Sequence, residues 1–151
     1  MKKSDISALL AQTQELVDHY QAILNIKDWK INVSITDEMP EDIKCPAALT
    51  CNNLVKRAQL DINIDILSKE FMDEFVIDNP KLFLRETVIH ELCHLLAEPL
   101  SATFRSHLDN YTNVYGNAMV SHFMDIEHFY IDSFARILIE TEDQGKPELV
   151  Y

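Results

Sequence analysis

Glycine is almost missing from this chain, with two residues in 151, and the five prolines are scattered. That composition excludes collagen-like, linker-like and low-complexity architectures, which need glycine or proline in bulk. Cysteine is scarce and odd in number, and Cys45, Cys51 and Cys93 fit neither a disulfide framework nor a CxxC pair. Reduced thiols and a cytoplasmic setting are the expectation. Basic residues are outnumbered 13 to 25 by acidic ones, for a formal net charge of −12. A field of that sign repels phosphate backbones and anionic headgroups, so neither nucleic acid nor a membrane surface is the expected partner. No apolar run approaches the roughly 20 residues a spanning helix needs. After Lys2 and Lys3, the polar residues Ser4, Asp5 and Ser7 stop a secretory h-region from developing.

What is present reads as one α+β domain, 1–151, with 47% hydrophobic residues to fill a core. Ile6, Leu9, Leu10, Leu16, Val17, Tyr20, Ile23 and Leu24 trace a helical stripe over residues 5–26, with Ser4 and Asp5 as caps. Trp29, Ile31, Val33 and Ile35 then alternate with Lys30, Asn32 and Ser34, the pattern of a strand with one buried face. After a loop at 37–46, residues 47–52 read as a weaker strand. Leu60, Ile62, Ile64 and Ile66, alternating with Asp61, Asn63 and Asp65, read as a stronger one. Connections this short predict antiparallel pairing. Ser68 to Phe75 suits a short helix. Asn79-Pro80 is a cap followed by proline at the first helical position, and Pro99 lies beyond the apolar stripe, which brackets a helix over 80–97. Residues 101–117 read as a loop or broken helix, and 118 to about 141 as a final long helix.

The chemistry lies in His90-Glu91-Leu92-Cys93-His94. Residues four apart share a helix face, so His90 and His94 can offer two imidazole nitrogens to one zinc ion. Glu91 projects beside such an ion, where it can take a proton from the attacking water as general base. Uncharged residues surround the run: Thr87, Val88 and Ile89 before it, Leu92 and Cys93 within it, Leu95 and Leu96 after it. Ionisable groups in so apolar a helix cost several kcal/mol unless paired, and a cation pairs them. The plainer reading has two helix histidines meeting surface carboxylates.

On this stretch, Thr87 to Leu96, the chain resembles the zincin metallopeptidases. In size and layout it looks like the minimal gluzincin-like peptidases of bacteria and phages, with weaker similarity to SprT-like and ImmA-like proteins. The resemblance implies a zincin-like fold: a small antiparallel sheet packed on an N-terminal helix and the motif helix, then a C-terminal helix that supplies the third ligand. It also implies zinc as cofactor and a peptide or protein substrate, bound as an added strand at a sheet edge. Residues 47–52 are the candidate edge.

Three protein ligands and one open position are what catalytic zinc requires. In the last helix, Val120, Phe123, Met124, Tyr130, Ile131, Phe134, Ile137 and Leu138 define an apolar face, and Glu127 takes a slot within it. A carboxylate there is costly unless it meets a cation, which makes Glu127 the expected third ligand. His128 is the alternative. Gluzincin-like proteins use Glu at this point and place an Asp four residues later, where this chain has Ile131. SprT-like proteins use His, and His128 does have Asp132 four residues on. Asp125, Asp132 and Glu86 are candidate partners for the second imidazole nitrogen of a ligand. Tyr111, Tyr115, Tyr130, His107 and His122 are candidates by type for steadying an oxyanion, and core or solvated roles suit each as well. Cys93 is expected to face the core. Cys45 as a latent zinc-capping thiolate is the least favoured idea. The leading expectation is a zinc-dependent metallopeptidase, and its rival is a non-catalytic zinc-binding or regulatory protein.

Overall fold

Leu9, Thr13, Val17, Tyr20 and Leu24 recur at helical spacing, and in a computed structural model of the chain they are the buried face of the first helix, α1 (Lys3–Ile23). The structure describes residues 3–39, 45–74, 77–108 and 114–144. Thr13 fits an otherwise apolar stripe because its hydroxyl donates to the Leu9 carbonyl at 2.8 Å. The helix ends at Ile23, short of the expected 26. Asn25 turns left-handed with φ of 56°. Its N–H donates to Ala22 O and that of Ile26 to Gln21 O, the paired bonds of a Schellman cap.

Three strands follow: β1 (Lys30–Thr36), β2 (Ala47–Asn52) and β3 (Arg57–Asn63). Their order in the sheet is β1-β3-β2. β3 pairs antiparallel with β2 and parallel with β1, so the sheet is mixed where the sequence led us to expect antiparallel pairing throughout. The reason is the path of the chain. β2 lies at an edge, and the short turn after it brings β3 back between β2 and β1, running the same way as β1. Short connections exclude a helical crossover but not one made by a strand. The last strand also ends at Asn63, with Ile64 to Ile66 in the turn beyond it.

Period-2 alternation divides the sheet cleanly. Ala47, Ala58, Leu60 and Ile62 are buried, and α1 packs on the β1 side. The opposite face is polar. Asn32 donates to Gln59 and Ser34 to Asp61 across the parallel pair, and Gln59 donates to Ser34 and Asp61. Ser68 Oγ accepts from the Phe71 N–H and starts a short helix, α2 (Lys69–Glu74).

Helix α3 (Pro80–Leu108) opens as the sequence indicates: the Leu82 N–H donates to Asn79 Oδ1 at 3.1 Å, with proline at the first helical position. It does not stop before Pro99. That residue lies inside the helix, and residues 101–108, expected as loop, continue it. Proline removes the bond to the carbonyl of residue 95. The Thr103 hydroxyl donates to the Pro99 carbonyl, and Leu95 and Ser101 on either side of the proline are both buried, which holds the helical path. Helix α4 (Val114–Gln144) begins before the expected 118 and extends past 141.

The chain divides into two compact units, Met1–Leu96 and Ala97–Tyr151, so α3 runs from the first into the second. Among the described residues the fold is α+β, with four helices and one three-stranded mixed sheet. No described helix is long and apolar enough to cross a membrane.

Candidate metal centre

The first unit carries the histidine pair. Leu84, Val88, Ile89 and Leu92 are fully buried and Leu95 nearly so, which fixes this part of α3 through packing worth about 1.5–3 kcal/mol per side chain. Buried positions encircle most of the helix. His90 and His94 fall in the remaining arc and are half-buried. Their Nε2 atoms stand 3.3 Å apart, with the rings inclined at 70°.

That separation is informative. Two nitrogens bound at about 2.05 Å to one tetrahedral zinc are about 3.3–3.4 Å from each other. The same distance suits a hydrogen bond between neutral imidazoles, one donating and one accepting. The two imidazoles are a donor set, at a spacing, that one zinc ion could share. Glu91 is buried at 9% exposure beside them.

Cys93 lies in the core at 4% exposure, and burial pushes its thiol up to about 12. A neutral thiol is a poor zinc ligand. Cys45 donates its S–H to the Ala47 carbonyl at 2.7 Å, a local bond within the approach to β2.

The second unit carries the two residues considered for the third ligand. The face of α4 that carries its buried residues differs from the one the sequence suggests: Ile131, Ala135 and Ile139 are buried, whereas Met124, Tyr130, Phe134 and Ile137 are exposed. Tyr130 and Ile137 belong to a second apolar stripe that sequence periodicity merges with the first. Glu127 does stand in the buried row, one turn before Ile131, and is half-buried. Its Oε1 accepts from the Ser101 hydroxyl at 2.9 Å, and Phe104 stacks on Phe123 one turn earlier with ring centroids 4.1 Å apart. Ser101, 1% exposed, is a partner that sequence reasoning missed because a loop was expected after Pro99. His128 is exposed. Its Nδ1 lies 2.8 Å from the Met124 carbonyl, which can only accept, so Nδ1 carries the proton and the ring's lone pair is on Nε2.

Among the oxyanion candidates, Tyr130, His107 and His122 are exposed. Tyr111 and the side chain of Tyr115 lie outside the described residues. No family model, no curated protein and no solved structure matches this chain.

Proposed function

We propose that the chain is a zincin-like zinc metallopeptidase. The observation that carries the reading is the pair of Nε2 atoms on one helix face at the separation tetrahedral zinc demands, with a buried carboxylate between them in sequence. His90 and His94 hold the ion, and the resemblance to zincins assigns the third ligand to a residue of the last helix.

Two residues compete for that third place. The Ser101 hydrogen bond gives Glu127 a partner within its own unit, so the cost of a carboxylate in an apolar row no longer demands a cation. His128 has the tautomer a metal needs, fixed by the carbonyl behind it, as ligand histidines usually do. His128 is therefore the first choice and Glu127 the second, with Ser101 as its orienting partner.

A zinc ion at this site supplies Lewis acidity, which makes water a nucleophile near neutral pH and polarises the scissile carbonyl. Glu91 takes one proton from the attacking water as its oxygen bonds to the carbonyl carbon. As the C–N bond breaks, Glu91 returns that proton to the departing amine nitrogen. Strand β2, paired on one side with β3 alone among the described residues, offers an edge on which an extended peptide can lie antiparallel.

The test is metal analysis followed by one substitution. Protein purified without chelator is expected to carry about one zinc per chain. Glu91→Gln should keep that zinc and lower peptide hydrolysis by about 10²–10⁴-fold. Zinc well below one per chain would sink the reading. Full zinc with no hydrolysis of a diverse peptide library would move the chain to the rival reading, a zinc-stabilised regulatory protein.

A further inference from the structure

The chain is strongly acidic, yet its cations are not evenly spread. Lys27, Lys30, Lys56 and Arg57 are four of its 13 basic residues, and all fall at the end of the sheet where β1 and β3 begin. Lys30 and Arg57 are direct partners in the parallel register, and both are exposed. Like charges placed opposite each other across a strand pair destabilise it. Neither makes an ion pair with a described residue. Asp28 is the acidic residue closest in sequence to this cluster.

The surroundings are suited to an anion held by more than charge. Lys30, Asn32, Thr50, Asn52, Arg57 and Gln59 line an open cavity of about 620 Å³ on the polar face of the sheet. The amide and hydroxyl groups lie beside the two cations on the same face and add polar character to it. Lys56 is fixed beside them: its φ of 51° is left-handed, its ammonium donates to Asn53 Oδ1 at 2.8 Å, and it lies 4.6 Å from the centre of the buried Trp29 ring. At the tip of the same hairpin, Leu54 is 96% and Val55 59% exposed. A free inorganic anion has no use for two apolar side chains, whereas a peptide does.

We propose that this face of the sheet binds an acidic peptide segment, its carboxylates on Lys30 and Arg57 and an apolar side chain against Leu54 and Val55. The inference does not rest on the metal reading. It rests on complementary charge in a protein whose overall field would otherwise repel such a partner.

The experiment is a fluorescence-anisotropy titration of the whole chain with a labelled pentapeptide of four glutamates around one leucine, at low salt. Saturable binding is expected, at least tenfold weaker in 0.5 M salt and at least tenfold weaker in the Lys30→Glu, Arg57→Glu double variant. The Lys30→Gln, Arg57→Gln pair, which leaves the strands uncharged, should also weaken binding and serves if the reversal perturbs folding. Leu54→Ser should weaken the peptide and leave its salt dependence intact. The proposal is overturned if the peptide does not bind, or if the glutamine pair binds it as tightly as the parent chain. It is equally overturned if a lysine peptide binds as well, or if inorganic phosphate or a single-stranded oligonucleotide displaces the peptide at equal concentration.

Discussion

Residues 84–95 of α3 and 123–139 of α4 are both rich in apolar side chains, and the two stretches spend them differently. In α3, Leu84, Val88, Ile89 and Leu92 show no exposed surface. In α4, Phe129 and Tyr130 are each 67% exposed and Ile137 is 60%. The ionisable residues on α3 are thus positioned by packing of the helix that carries them, and His90 and His94 converge because their backbone cannot shift. On α4, Glu127 accepts from the Ser101 hydroxyl and His128 bonds to the Met124 carbonyl, while apolar neighbours along the helix stand exposed. Disturbing the first region should act on the fold, and disturbing the second on the metal.

The sharpest way to break that contrast is a matched pair of truncations. Leu92→Ala opens a cavity in the buried arc of α3 and should cost about 2–5 kcal/mol in denaturant unfolding. Phe129→Ala removes a larger side chain from an exposed position and should stay within about 0.5 kcal/mol. Equal midpoints for the two variants would show that the two helices are not packed as differently as their exposures indicate.

A smaller effect sharpens the α4 side. With Glu127 on the metal, Ser101→Ala removes an outer partner of a ligand and should weaken zinc affinity about 10–100-fold. With His128 on the metal, the same variant should leave zinc affinity unchanged and cost about 1 kcal/mol of stability for the lost bond. Zinc competition with a coloured chelator reads the first quantity, and thermal unfolding the second. Glu127→Ala and His128→Ala complete the comparison, since the one that loses stoichiometric zinc is the ligand.

The same contrast governs what could be read from the sequence. The histidine pair was legible because helical periodicity alone puts residues four apart on one face. The start of α3 was legible because asparagine before proline has one local meaning. Strand positions followed from alternation, but the parallel pairing of β1 with β3 did not, since orientation depends on where β2 lies and no local pattern encodes that. The passage of α3 through Pro99 was hidden for a related reason: local propensity opposes it, and packing around Leu95 and Ser101 prevails. That error concealed Ser101 and with it the hydrogen bond that gives Glu127 a second explanation. On α4 two apolar stripes lie close enough in phase that periodicity could not say which one is buried.

The smallest effect tests the local end of this reasoning. Asn79 accepts from the Leu82 N–H through its side chain and from the Phe83 N–H through its carbonyl, so only the first bond depends on the residue type. Asn79→Ala should therefore cost about 1 kcal/mol, and Asn79→Asp should retain most of it. Because the helix is held further along by buried leucines, the loss should appear as faster amide exchange confined to the first turn, at Leu82 above all, with zinc binding by His90 and His94 unchanged. Faster exchange spreading to residues 88–95 would mean that the cap, rather than packing, sets the motif in place. The distinction between the two helices would then have to be redrawn as one between a capped helix and a bonded one.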